Sequence, residues 1–223
     1  VSETKDSEKK TQKARLREIE LKKAEVELRA AESDFEYDQI RLARERRSHA
    51  WLEHGDRNHG IFRMESYVGG SVIDLAAEIQ QYTRVNPGKP VTLYICSPGG
   101  SLFAGWVLYD ALRTASAQGH HVTTILRGYA ASMAGVLFMA GDTRLVGSEG
   151  FLMIHEISTG AVGKLSEIAD EVDLSKRLNR RIEDIFVARS KIKRPEFRKK
   201  STRADWWLSP QECIELGVAH AIG

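Results

Sequence analysis

The chain has 223 residues, and its 33 Lys and Arg against 31 Asp and Glu leave a net charge of +2. That length suits one well-buried domain with an extension, and the near balance of charge speaks against nucleic acid or an anionic membrane as a global partner. No apolar run approaches the ~18–20 residues of a membrane span, the first residues are polar rather than signal-like, and Cys96 and Cys213 have neither paired nor metal-ligand spacing; the expectation is a cytoplasmic protein with reduced thiols, no metal and no cofactor.

Residues 1 to about 48 stand apart. About half are charged with mixed sign, and Gly and Pro are absent. Leu21, Leu28, Phe35 and Leu42 recur every seventh residue, with Ala24 and Ala31 between them until Asp38 and Glu45 break the seam. A second stripe holds Ile19, Val26 and Ile40. The pattern predicts a long charged amphipathic helix within an extension over residues 1–54. It would pack in an oligomer, dock another protein, or cover its own domain. His54 to Gly60 reads as a loop.

From Ile61 strands and helices alternate. The expected order is a strand over 61–64, a helix over 71–82 closed by Asn86-Pro87-Gly88, and a strand over 91–95. A helix over 101–116 follows, then a strand over 122–127, a helix over 132–141, a short strand near 144–146 and a strand over 151–155. Gly160 to Gly163 is a flexible or strand-like step. A long amphipathic helix over about 165–191 comes next, with Ile168, Val172, Leu178, Ile182 and Phe186 on its apolar side. Such alternation predicts an α/β fold around a mostly parallel sheet.

Four stretches that could carry chemistry interrupt this pattern. Gly128-Tyr129-Ala130-Ala131-Ser132-Met133-Ala134-Gly135 places one serine at a strand-to-helix turn among small residues. The first turn of a helix has unpaired N–H donors, so such a serine is either an N-cap or a reachable nucleophile beside oxyanion donors. Phe151 to Ile154 is an apolar strand ending in His155. Arg203-Ala204-Asp205-Trp206-Trp207-Leu208-Ser209 supplies a later aspartate. A serine hydroxyl needs a base within hydrogen-bond reach, and that base needs an acid to fix its tautomer. Upstream, the strand at 91–95 runs into Cys96-Ser97-Pro98-Gly99-Gly100-Ser101. That tight turn brings backbone close to another chain. It is an ordinary connection, or a backbone donor for an oxyanion with an edge for an extended peptide.

Ser97-Pro98-Gly99-Gly100, Gly128 to Met133, Met153-Ile154-His155, and Asp205 before Leu208-Ser209 together resemble the Clp protease proteolytic subunit family over roughly residues 60–223. The resemblance implies a crotonase-like spiral of ββα units, with a peptidase domain over 55–223. It implies Ser132 as nucleophile, His155 as general base, Asp205 as orienting acid, and the amides of Gly100 and Met133 as the oxyanion hole. The helix at 165–191 would be the handle through which heptameric rings meet. Substrates would be peptides or unfolded proteins, admitted to a ring chamber by an AAA+ unfoldase. The family usually has a polar residue where this chain has Cys96, and Gln or Asn where it has Glu156. No segment matches the short N-terminal loop and aromatic helix that help the family dock its ATPase.

Two other readings stand beside a chambered serine endopeptidase. One is a phage capsid or scaffold maturation protease on the same domain, which the charged helix favours and which needs no ATPase. The other is a non-catalytic ring-assembly module, since one fold hosts many functions. Retention of Ser132, His155 and Asp205 speaks against the module. The chain has no G-x-x-x-x-G-K-[ST] run to bind ATP itself.

Overall fold

Runs of β-branched residues alternating with amphipathic stretches build a mixed α/β fold. The computed structural model describes residues 55–223; the helix expected in the extension over 1–54 lies outside them. The strands are β1 (Ile61–Met64), β2 (Val91–Ser97), β3 (Val122–Ala131), β4 (Thr143–Val146), β5 (Phe151–Ile154), β6 (Trp206–Leu208) and β7 (Ala221–Ile222). The helices are α1 (Gly70–Val85), α2 (Leu102–Ala117), α3 (Met133–Phe138), α4 (Leu165–Arg189), α5 (Arg194–Ser201) and α6 (Pro210–Glu215).

One sheet runs β1-β2-β3-β4-β7, and β5 branches from β3 to pair with β6. All pairings are parallel except β5 with β6. The branch exists because β3 is long enough to serve two partners. Its first half, Thr123–Leu126, pairs with β4; its last residues, Tyr129–Ala131, pair with β5. Strand β3 thus continues through Gly128, four residues past the end expected from its β-branched run. Gly128 has φ 69°, and a shift of register at Ile95/Ser97 in β2 accompanies the bend.

The core lies between this sheet and α1, α2 and α3. Leu93, Leu108, Leu112, Leu126, Phe138 and Leu152 are fully buried there. The short α3 is buried at every position, as a helix that is apolar all round must be. It is six residues long and begins at Met133, shorter than the expected span to 141. Helix α4 is different. Its 25 residues bury only Ile182, Glu183 and Phe186, while Leu165 and Val172 near its start are exposed. The C-terminal third holds the helix to the core.

The stretch before β1, expected as a loop, is helical over 55–58. It closes by amide bonds from His59 to Asp56 O and from Gly60 to Arg57 O, each 3.0 Å. The expected flexible step at 160–163 has no regular structure. No helix among the described residues is long and apolar enough to cross a membrane.

Candidate active site

Strand β5 collects the three residues singled out above. On one side, Ala131 of β3 is in register with Met153, so Ser132 emerges beside the end of β5. Its amide donates to Met153 O at 2.9 Å. On the other side, Ile154 is opposite Trp206. The next antiparallel step puts His155 opposite Asp205. A serine hydroxyl, an imidazole and a carboxylate from three separate stretches therefore meet at one end of one strand.

Ser132 is the residue that turns β3 into α3. Its backbone is at φ 57°, ψ −125°, a region that costs a non-glycine residue about 1–3 kcal/mol and persists only where surroundings hold it. The carbonyl of Ser132 accepts the Gly135 amide at 3.0 Å, yet the hydroxyl caps nothing in α3. It lies 2.7 Å from His155 Nε2 instead. The N-cap reading of this serine is thereby corrected. When Nε2 accepts the serine proton, the ring proton sits on Nδ1, facing Asp205. The Asp205 carboxylate is 3.8 Å from Nδ1, beyond direct hydrogen-bonding distance. Its side chain is 63% exposed, against 24% for His155.

The Pro-Gly-Gly turn packs against this serine. A Cβ on Gly99 would fall 2.5 Å from Ala131 O and 2.7 Å from Ser132 Cβ, and the residue is at φ 92°. Only glycine allows that approach. The turn is held from below by buried Ser97, whose hydroxyl donates to Ser66 O at 2.6 Å and accepts the Gly99 amide at 3.1 Å. Gly100 bridges to Val68. No backbone acceptor among the described residues takes the amide of Gly100 or of Met133, and both residues line the cleft that contains Ser132 and His155.

That cleft has a volume of about 360 Å³. Leu102, Met133, Val136, Ile182 and Phe186 give it an apolar wall. Beyond His155 it is flanked by two further hollows of about 320 Å³ each. One is lined by Ile182 and Phe197 together with Lys176, Asn179, Arg180 and Arg198; the other runs between Ile157–Thr159 and Arg203–Asp205. Buried Glu183 is held there by Arg198 at 2.9 Å and Arg194 at 3.2 Å.

Glu156 was visible in the sequence only as a departure from the resembling family. In the structure its amide donates to Ser201 O at 3.1 Å, and its carboxylate accepts the Arg203 amide at 3.1 Å. Lys200 pairs with Glu196 at 3.2 Å and sits over the Trp206 ring, while Arg203 contributes its backbone.

Away from the site, Asp142 anchors the start of β4. Burial would raise its carboxyl. The Val122 amide and the Arg113 and Ser116 side chains overcome this and hold it below the usual carboxylate range. Arg144 is buried and bonds to the carbonyls of Gly141, Arg189, Gly217 and Val218. Burial, with Arg189 nearby, lowers it to about 10. Burial also pushes the Cys213 thiol up to about 12, so that cysteine is an inert core residue.

The family model for Clp protease matches residues 56–223, and the chain is accordingly a serine-type peptidase. The ATP-dependent Clp protease proteolytic subunit of Bacteroides fragilis is 35% identical over 146 residues, covering 65% of this chain and 69% of that protein. Its counterpart in Bacteroides thetaiotaomicron has the same identity and chain coverage, with 64% of its own length matched. Subunit 1 of Chlamydia trachomatis is 30% identical over 168 residues, 73% of this chain and 84% of that protein. The chain belongs to the Clp protease family.

Proposed function

We propose that the protein is a serine endopeptidase in which Ser132, His155 and Asp205 act as nucleophile, base and orienting acid. His155 Nε2 takes the Ser132 proton as Oγ attacks the scissile carbonyl. The resulting oxyanion is received by the amides of Gly100 and Met133. His155 returns the proton to the leaving amine and an acyl-enzyme remains; the same base then takes a proton from water, whose oxygen attacks the acyl carbon, and returns it to Ser132 Oγ as the acid product leaves. The observation that carries this reading is the 2.7 Å contact between Ser132 Oγ and His155 Nε2 at a backbone turn that leaves the hydroxyl uncapped.

The apolar wall of the cleft suits an extended, unfolded peptide rather than a small polar substrate. The relatives' printed names make them ATP-dependent proteolytic subunits. We extend that to this chain: homo-oligomeric rings of the crotonase-like spiral, assembled through α4, with an ATP-driven unfoldase supplying substrate. The exposed Leu165 and Val172 on α4 support an assembly surface. A second reading is favoured by the 3.8 Å gap at Asp205: a module whose triad is complete in composition and unaligned in the single subunit.

Labelling with a fluorophosphonate probe, peptide mapping, and Ser132→Ala beside the wild type test the reading. Covalent modification at Ser132, lost in the alanine variant, is expected. An unlabelled Ser132 in a sample shown by mass in solution to be assembled would overturn it.

A further inference from the structure

The loop that presents Asp205 has little to hold it. Thr202, Arg203, Ala204 and Asp205 are all exposed. Arg203 is at φ 59° and, with Ser132, is one of two non-glycine residues at positive φ among those described. A left-handed residue outside glycine keeps its conformation only where neighbours hold it. Here the neighbour is Glu156. Its Oε1 accepts the Arg203 amide at 3.1 Å, and its own amide donates to Ser201 O at 3.1 Å. The residue directly after the candidate base thus fastens the three-residue link between α5 and Asp205 at two points, its entry at Ser201 and its middle residue Arg203.

This arrangement has a direct chemical consequence. The acid reaches His155 across 3.8 Å, so small movements of the loop decide whether it orients the imidazole. We propose that Glu156 is a positioning residue: by accepting the Arg203 amide it keeps the left-handed turn from which Asp205 faces His155 Nδ1. The inference rests on Asp205 being the orienting acid of the triad proposed above. It requires an acceptor oxygen at this reach and does not require a negative charge. Gln therefore serves where Ala does not.

The test is steady-state hydrolysis of a fluorogenic peptide by the full chain in its assembled form. Wild type is compared with Glu156→Ala, Glu156→Gln, Asp205→Asn, the double variant Glu156→Ala/Asp205→Asn, and Ser132→Ala. Thermal melting and mass in solution are read on each. Loss of one backbone-fixing hydrogen bond should lower kcat about tenfold in Glu156→Ala with little change in KM. Glu156→Gln should stay within about twofold of wild type, since the amide oxygen accepts as the carboxylate does. In the Asp205→Asn background the alanine change should cost nothing further, because residues acting as one unit are not additive. Three outcomes overturn the inference: wild-type kcat in Glu156→Ala, a Gln variant as impaired as Ala, or an undiminished loss in the Asp205→Asn background. If Asp205→Asn is fully active while Ser132→Ala is dead, the Asp205 assignment fails and the inference falls with it. A damaged Asp205→Asn beside an intact Glu156→Ala sinks the inference alone. Should the alanine variant not fold, Glu156→Met keeps the volume without the acceptor and is read in its place.

Discussion

Asp205 and His155 occupy the next step of the antiparallel β5–β6 ladder, yet their carboxylate and imidazole are 3.8 Å apart, against 2.7 Å between His155 and Ser132. The two contacts differ because their supports differ. Ser132 leaves the long, buried β3 and is locked by its amide bond to Met153. Asp205 precedes a three-residue strand that, among the described residues, pairs only with β5, and Asp205 itself is exposed.

A solvated, distant carboxylate contributes less than a buried and bonded one. Asp205→Asn should therefore lower kcat by about 10²-fold, less than the roughly 10⁴-fold seen where such an acid is buried against its histidine. KM should be unchanged. Peptide-hydrolysis kinetics decide it, and a rate equal to wild type would remove Asp205 from the mechanism.

Gly99→Ala puts a Cβ against Ala131 O and Ser132 Cβ at a φ of 92°. The backbone cost alone is about 1–3 kcal/mol, and the oxygen it meets belongs to β3, which cannot swing away. The variant should fold with a lower Tm and lose most hydrolysis, because relief of the clash moves Ser132. Calorimetry and turnover on one preparation check both halves. Full activity at an unchanged Tm would contradict the close approach.

Acid should weaken the fold through Asp142. Its folded-state carboxyl is depressed, so its contribution is complete above the ordinary carboxylate value and is lost as pH falls through the lower, folded one. That window lies below about pH 4. Urea unfolding at stepped pH should show wild type losing stability there more steeply than Asp142→Asn, which accepts hydrogen bonds without titrating. Superimposable acid limbs for the two proteins would refute the linkage.

Ser132 and His155 were legible in the sequence because each ends an apolar strand that periodicity detects, and small residues surround the serine. The Pro-Gly-Gly turn was legible for a similar reason: positive φ and close approach demand glycine. Asp205 was harder. Its strand, Trp206–Leu208, is too short to show a period, and its neighbours α5 and α6, eight and six residues long, are polar. The expected strand over 122–127 stopped at Gly128, since glycine ordinarily weakens a strand, while here it bends one onward to Ser132. The role of Glu156 lay beyond any local reading. It depends on antiparallel pairing that brings residue 203 back to residue 156, and the bond uses a backbone amide that no sequence pattern displays.

On the mechanism proposed above, the turn at Ser132 also selects among nucleophiles. Serine, cysteine and threonine can each form an acyl intermediate, but a β-branched side chain at φ 57° is a steric outlier. A threonine here would have to unbend the junction of β3 and α3 and would carry its hydroxyl away from His155. A thiol in place of the hydroxyl asks nothing of the backbone. The conformation of a single residue thus leaves this peptidase open to conversion into a cysteine enzyme and closed to conversion into a threonine one.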